Sequence, residues 1–324
     1  MPIKASPDQS FPWPASPTAL QPGGTSADGL LRVLWELNAP PQVLRPPRSE
    51  AMGQRFQALL CFAQGASELL RRRHPVGNIA VQLHDEQPSH YCFRFDAPLG
   101  EDGGGPLIPD PYCLMTDGYK AIRNAFIEQP LPPWQERLPM AFWRGSTTSS
   151  KKITPTTLSY NQRYQLCLQS LQLPTLLDAR FSAVVQCHDQ YNQAQVQKLL
   201  KQQDLWSPRV DPWQAALHRW MIEIDGNVNS WGLLWKLLSG ACVIRVASRR
   251  RQWYHHRLKP WVHLVPVATD LSNLAERLHW CRANLTECRA IAAQGQQLAE
   301  QVVSELNHDL LHATVRYSQE WHLN

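Results

Sequence analysis

Residues 222–246, IEIDGNVNSWGLLWKLLSGACVIRV, most constrain what this chain can fold into, because they read in one pass as strand, sharp turn, helix, glycine stop and second strand. Ile222 and Ile224 alternate with polar neighbours as a strand would. Asp225, Gly226, Asn227 and Asn229 then crowd into a turn where positive φ is readily adopted. Trp231, Leu234, Trp235 and Leu238 recur at i, i+3, i+4 and i+7, one face of a helix, with Asn229 or Ser230 as its N-cap and Gly240 as its stop. Cys242 to Val246 is short, apolar and β-branched, which suits a strand buried on both faces, and such crossovers build parallel sheets. A helix start at a sheet edge offers free N–H groups and partial positive charge to a phosphate, although most turns of this kind bind nothing.

Two known loops are excluded. No Gly-Lys-Ser/Thr follows the turn, so it is not a P-loop. Asp225, Asn227 and Asn229 imitate the opening of an EF-hand, but Ser230 stands where glycine is needed and Lys236 where a bidentate carboxylate is needed.

The rest of the chain extends the alternation. Residues 1–45 are rich in proline, serine and glycine and read as a tail with at most a short helix near Leu30 to Leu37. A helix is expected from Ser49 to Arg73, then strands at Asn78 to Leu83 and Tyr91 to Phe95, a glycine-rich loop at 100–105, and a helix from Tyr119 to Glu128. Pro130, Pro132 and Pro133 mark a boundary, giving an N-terminal domain at 46–135 and a C-terminal one at 136–310, with 311–324 as a tail or helix. Beyond it come strands at Met140 to Trp143 and Ala179 to Gln186, the unit already described, an aromatic, basic helix at Arg250 to Leu258, and a strand at His263 to Val267. Asp270 and Thr286 are read as the caps of two further helices. Strands and helices alternating in this way indicate α/β domains with doubly wound parallel sheets, whose ligands sit at the carboxyl ends of the strands.

Eight cysteines without a Cys-x-x-Cys pair, several in apolar runs, read as free thiols of a reducing compartment, and no apolar run approaches membrane-span length; a cytoplasmic location is expected. Thirteen tryptophans raise slightly the expectation of a sugar or nucleotide site. The net charge of +5 does not single out nucleic acid, and in Arg249 to Arg257 an amphipathic helix with a solvated basic face explains the basic run more simply. His255, His256 and His263 lack a carboxylate or cysteine at metal spacing.

Four segments taken together, AFWRGSTTS at 141–149, DGNVNSWGLLWKLLSG at 225–240, LKPWVHLVPVATDLSNL at 258–274 and AIAAQGQQLA at 290–299, resemble glycosyltransferase family 90 over residues 105–305. The resemblance implies a GT-B architecture: two Rossmann-like domains facing across a cleft, with a UDP-sugar held mainly by the C-terminal one. It further implies inverting transfer of a glucose- or xylose-class sugar to a hydroxyl of a glycan or lipopolysaccharide-type acceptor, with no metal. Glu223 and Asp225, the nearest thing to a metal pair, are better read as structural or turn residues.

Inverting transfer needs one carboxylate to take the acceptor proton. By resemblance it is Asp110, in Ile108-Pro-Asp-Pro-Tyr112, where a turn role between prolines is the plainer alternative; Asp117 is the second candidate. The departing diphosphate needs fixed cations and N–H dipoles. Arg144 is the expected cation, with Gly145 allowing close approach, Ser146 donating, and Asp225, Gly226, Asn229, Ser230 and Trp231 forming the phosphate turn. Arg144 bridging two loops is the structural alternative. Many family members carry arginines where this chain has Thr147 and Gly232, so Lys236 is the expected compensation, with Arg163 and Arg245 as unplaced alternatives. Those two departures favour a rival reading, a silent nucleotide-sugar or glycan binder; a nucleic-acid binder resting on Arg71 to Arg73 and Arg249 to Arg251 is the second rival.

Overall fold

In the sequence Leu31-Arg-Val-Leu-Trp35, apolar side chains recur at every second residue, and the chain obeys that period: Leu31, Val33 and Trp35 are buried while Arg32 and Leu34 are half-exposed. The computed structural model describes residues 10–14, 20–47, 49–85, 87–149 and 151–320. In it, the expected tail and short helix give way to three strands, β1 (Gln21–Thr25), β2 (Leu31–Trp35) and β3 (Gln42–Arg45). The remainder of the expected tail, residues 1–9 and 15–19, lies outside the described residues.

The chain divides into two compact units. The first holds residues 1–120, 249–256 and 302–324. Its helix α1 (Gln54–Arg71) follows the expected apolar spacing, burying Phe56, Leu59, Leu60, Phe62 and Ala63. After it, β4 (Gly77–Val81) pairs antiparallel with β2, which pairs antiparallel with β3, and β1 runs parallel to β3. The sheet of this unit is therefore mixed, where a doubly wound parallel sheet was expected. The strand expected at Tyr91 to Phe95 makes only single bridges, Val81 with Phe93 and Arg94 with Leu107. Then come β5 (Ala97–Pro98) and the one-turn helix α2 (Pro111–Met115), started by Asp110 and by a proline whose missing N–H costs nothing there.

The second unit holds residues 121–248 and 257–301. Apart from the start of α3 (Lys120–Glu128), it runs through β6 (Leu138–Ser146), α4 (Gln162–Gln172), β7 (Leu177–Ala183), α5 (Gln190–Gln202), the short α6 (Pro212–Ala215), β8 (His218–Glu223), α7 (Leu233–Leu238) and β9 (Cys242–Val246). The expected helix at Arg250 to Leu258 is replaced by β10 (Arg250–Arg251), which belongs with its antiparallel partner β5 to the first unit, and a 3₁₀ turn at His255–Arg257. Strand β11 (Val265–Val267) then completes a five-stranded sheet in the order β11-β9-β8-β6-β7. Every pair in it is parallel, as the doubly wound reading requires. Ile222 pairs with Ile244 and Trp220 with Cys242, and all four are buried, which is why these runs are continuously apolar.

Helix α8 (Leu274–Ala283) begins three residues later than expected, preceded by Asn273. Asp270 instead turns back to accept a hydrogen bond from Ser272 N at 3.0 Å. Helices α9 (Leu285–Ser304) and α10 (Leu306–Glu320) end the described chain, and residues from 302 onward belong to the first unit. There Tyr317 stacks on Phe93 with centroids 4.2 Å apart, and its hydroxyl accepts from Ala80 N at 3.1 Å. All eight cysteines are free. Among the described residues, no helix is long and apolar enough to cross a membrane.

Candidate active site

The parallel sheet reverses its direction of growth between β6 and β8, and in such sheets the loops leaving the carboxyl ends at that point splay apart into a ligand crevice. What fills the base of that opening here is Arg163. Asn161 caps α4 by accepting from Arg163 N at 2.9 Å and Tyr164 N at 3.2 Å, and its amide donates to Thr147 O at 3.0 Å and Thr148 O at 3.3 Å. The cap thus fixes both the helix start and the loop after β6. From this first helical turn the Arg163 guanidinium reaches under both loops. It donates to Ser146 O at 3.1 Å, Thr148 Oγ1 at 2.5 Å, Ile224 O at 3.1 Å and Asp225 O at 2.9 Å. Burial pulls its pKa down, opposed by the negative charges of Glu223 and Asp225.

Asp225 organises the turn after β8. Its Oδ1 accepts from Ser230 N at 3.1 Å and its Oδ2 from Ser248 Oγ at 2.5 Å, with Asn229 Oδ1 also 3.5 Å from that hydroxyl. Burial raises the Asp225 pKa, and these two hydrogen bonds oppose it. Gly226 is required by close approach: a Cβ there would lie 2.4 Å from Thr148 Oγ1 and 3.1 Å from the Arg163 guanidinium. Trp231 is half-buried at the end of the same turn.

Several expected roles are corrected. Arg144 does not stand free for a diphosphate: its two Nη atoms grip Asp178 at 3.0 and 2.7 Å, and its guanidinium lies 4.4 Å over the Phe142 ring. Side chains two apart on a strand share a face, so Arg144 goes with Phe142, whereas Arg163 lies over the ring of Trp143 on the other face. Gly145 is dictated by that same Trp143, whose ring would sit 2.4 Å from an added Cβ. Lys236 is buried, donating to Glu223 Oε2 at 2.5 Å and Ile222 O at 2.9 Å, a satisfied pair. Neither Asn229 nor Ser230 caps α7, which follows Gly232 with no side-chain cap and runs for only 6 residues. Ser230 contributes its N–H to Asp225 and its hydroxyl accepts from Gly232 N at 3.3 Å. Ser146 enters through its carbonyl, which receives Arg163. Thr147, in place of a family arginine, is fully buried and exchanges hydrogen bonds with Val185 N and O, each at 2.9 Å.

In the first unit, Asp110 is 1% exposed. As the N-cap of α2, its Oδ1 accepts from Tyr112 N and Cys113 N, both at 3.0 Å, and its Oδ2 from the Tyr119 hydroxyl at 3.4 Å. Burial pushes its pKa up to about 7 against those hydrogen bonds. Asp117, the second candidate, is exposed and pairs with Lys120 at 3.7 Å. The basic run is likewise occupied: Arg250 pairs with Asp96 and Arg251 with Asp102. Among the described residues, no group of three or more His, Cys, Asp or Glu could hold a metal ion.

Arg163 and Asn161 are the residues that sequence reasoning failed to place. Asn161, with Tyr164 and Cys167 three residues apart on the buried face that follows, carried the signal of a capped helix start.

A five-stranded parallel sheet whose loops at the reversal point are tied by a buried cation defines an α/β protein of the class that binds ligands beyond its strand ends. More narrowly, the chain belongs to glycosyl transferase family 90, whose model matches residues 120–312. It is 30% identical over 198 residues to human protein O-glucosyltransferase 1, covering 60% of this chain and 45% of the relative. The bovine protein O-glucosyltransferase 1 is 28% identical over the same shares. Uncharacterized protein 035R of Invertebrate iridescent virus 3 is 32% identical over 190 residues, 55% of this chain and 17% of that protein. The chain thus spans less than half the length of these relatives.

Proposed function

We propose that this chain transfers a glucose- or xylose-class sugar from a UDP-sugar to a hydroxyl of a glycan or lipopolysaccharide-type acceptor, with inversion and in a GT-B-like arrangement. The observation that carries this reading is the Arg163 tie between the loops after β6 and β8, in a family 90 chain. A glycosidic bond breaking toward a nucleoside diphosphate puts negative charge on the leaving oxygens, which a fixed cation and preorganised amides of these loops stabilise. Because the loops are already tied down, they need no ordering when the charge develops.

Asp110 is the proposed base. A carboxyl buried until its pKa nears 7 is matched to taking a proton from a hydroxyl near neutral pH, and the base must be ionised to act, so the rate is expected to rise with pH up to about 7 and then level. A thermal-shift panel of UDP, GDP and their sugars tests the donor, with UDP compounds expected to raise the melting point most. A second reading, a silent nucleotide-sugar binder, is favoured by the engagement of Arg144 and Lys236 with carboxylates. Sugar transfer or UDP-sugar hydrolysis above background removes it.

A further inference from the structure

Beyond Asp110, the chain adopts a rare backbone: Asp117, Gly118 and Tyr119 take φ of 47°, 63° and 62° in succession. Two of the three carry side chains that make the left-handed region costly, and a bulky tyrosine is among the least suited to it. Such strain persists only where the surroundings impose it. Here Tyr119 N donates to Thr116 Oγ1 at 3.1 Å, Gly118 N to Cys113 O at 3.0 Å, and the Tyr119 ring meets the Tyr112 ring edge-on at 5.3 Å. The result is a fully buried tyrosine whose hydroxyl lies 3.4 Å from Asp110 Oδ2.

We propose that Tyr119 is a positioning residue for the Asp110 carboxyl, held against it by the left-handed turn Asp117–Tyr119. The inference rests on Asp110 being the base. The two amides that cap α2 both fall on Oδ1, leaving Oδ2 as the oxygen able to accept a substrate proton. The tyrosine hydroxyl donates to that oxygen, fixing the rotation of the carboxyl and stabilising its ionised form. The titratable residues that bond the carboxyl are Tyr119, through its hydroxyl, and Tyr112 and Cys113, through their backbone amides. Helix α1, packed on α2, carries Arg55, paired with Asp85, the half-buried thiol of Cys61, and the exposed Glu68 and Arg71.

The experiment compares the full chain with Tyr119→Phe, which keeps the ring packing and removes the hydroxyl. The Asp110 carboxyl ¹³C resonance is followed against pH in both, beside the pH profile of sugar transfer. The variant is expected to titrate about one unit higher, because a hydrogen bond to the ionised form has gone, and the acidic limb of the rate is expected to move with it. At pH 6 transfer then falls several-fold further than at pH 9, where the base is ionised in both proteins and only its loosened orientation lowers the rate. An Asp110 titration that does not move overturns the positioning role. If the titration moves while the rate profile stays put, the contact exists but Asp110 is not the base, so the two failures are told apart. Should Tyr119→Phe fail to fold, 3-fluorotyrosine placed at position 119, which keeps the packing and makes the hydroxyl a stronger donor, carries the same test: the Asp110 titration is expected to move down, and an unmoved titration refutes the proposal equally.

Discussion

Asp110 and Asp225 are held by the same kinds of partner, two backbone amides on Oδ1 in the first and one in the second, with one hydroxyl on Oδ2 in each, yet they differ in electrostatic company. Around Asp225 lie full charges: Arg245 favours its ionisation, Glu223 opposes it, and Arg163 donates to its carbonyl. Around Asp110 the named influences are burial and hydrogen-bond dipoles. Partners of the same kind therefore do not make equal carboxyls. One is a loop organiser whose charge balances its neighbours, and the other is a cap whose proton is exchangeable near neutrality.

The comparison breaks most sharply on Asp110→Asn. Asparagine caps a helix as well as aspartate does, so the fold is expected to survive while transfer falls about a hundredfold or more with UDP affinity unchanged. Retained transfer in a steady-state assay would sink the role of Asp110. Asp225→Asn is expected to do the reverse, raising KM for the donor about tenfold with a smaller change in kcat, since it loosens a loop without touching the proton. Arg163→Met is read on the fold as well as on the donor. Stranding the carbonyls of Ser146, Ile224 and Asp225 should cost about 3 kcal/mol in urea unfolding and abolish UDP-induced stabilisation, whereas Arg144→Met should weaken the fold but spare UDP binding.

A pH series sharpens the contrast further. The folded-state pKa of Asp110 is raised from 3.8 to about 7, so its contribution to stability is fully present below about pH 4 and is lost as pH rises toward 7. Stability from this group should fall by a few kcal/mol across that window and then stay flat, and Asp110→Asn should remove the slope. The smallest effect is expected for Ser248→Ala, about 1 kcal/mol, with a slightly higher Asp225 pKa.

The parallel sheet was legible because its strands are buried on both faces and so are continuously apolar; Cys242 to Val246 was read to the residue. Residues 21–45 were misread because proline and glycine there form an exposed strand, β1, beside two that are short. Helix α5 escaped notice because it buries only Val196 and Leu200 among glutamines. For the candidate site, residue type was informative and partner was not. Nothing local announces that Asp178, 34 positions away, takes Arg144, or that Arg163 crosses 61 positions to Ile224. Ion pairing across strands is decided by register, which no single segment encodes.

The return of α10 to the first unit bears on biosynthesis. Phe93 and Ala80 leave the ribosome more than two hundred residues before Tyr317, and at about 5–20 residues per second the nascent N-terminal sheet waits at least some ten seconds for the ring that covers it. Meanwhile the parallel-sheet unit has been fully translated and is free to fold. Assembly should thus run against the order of synthesis, middle first and beginning last, with the early strands as the segment most exposed to chaperones.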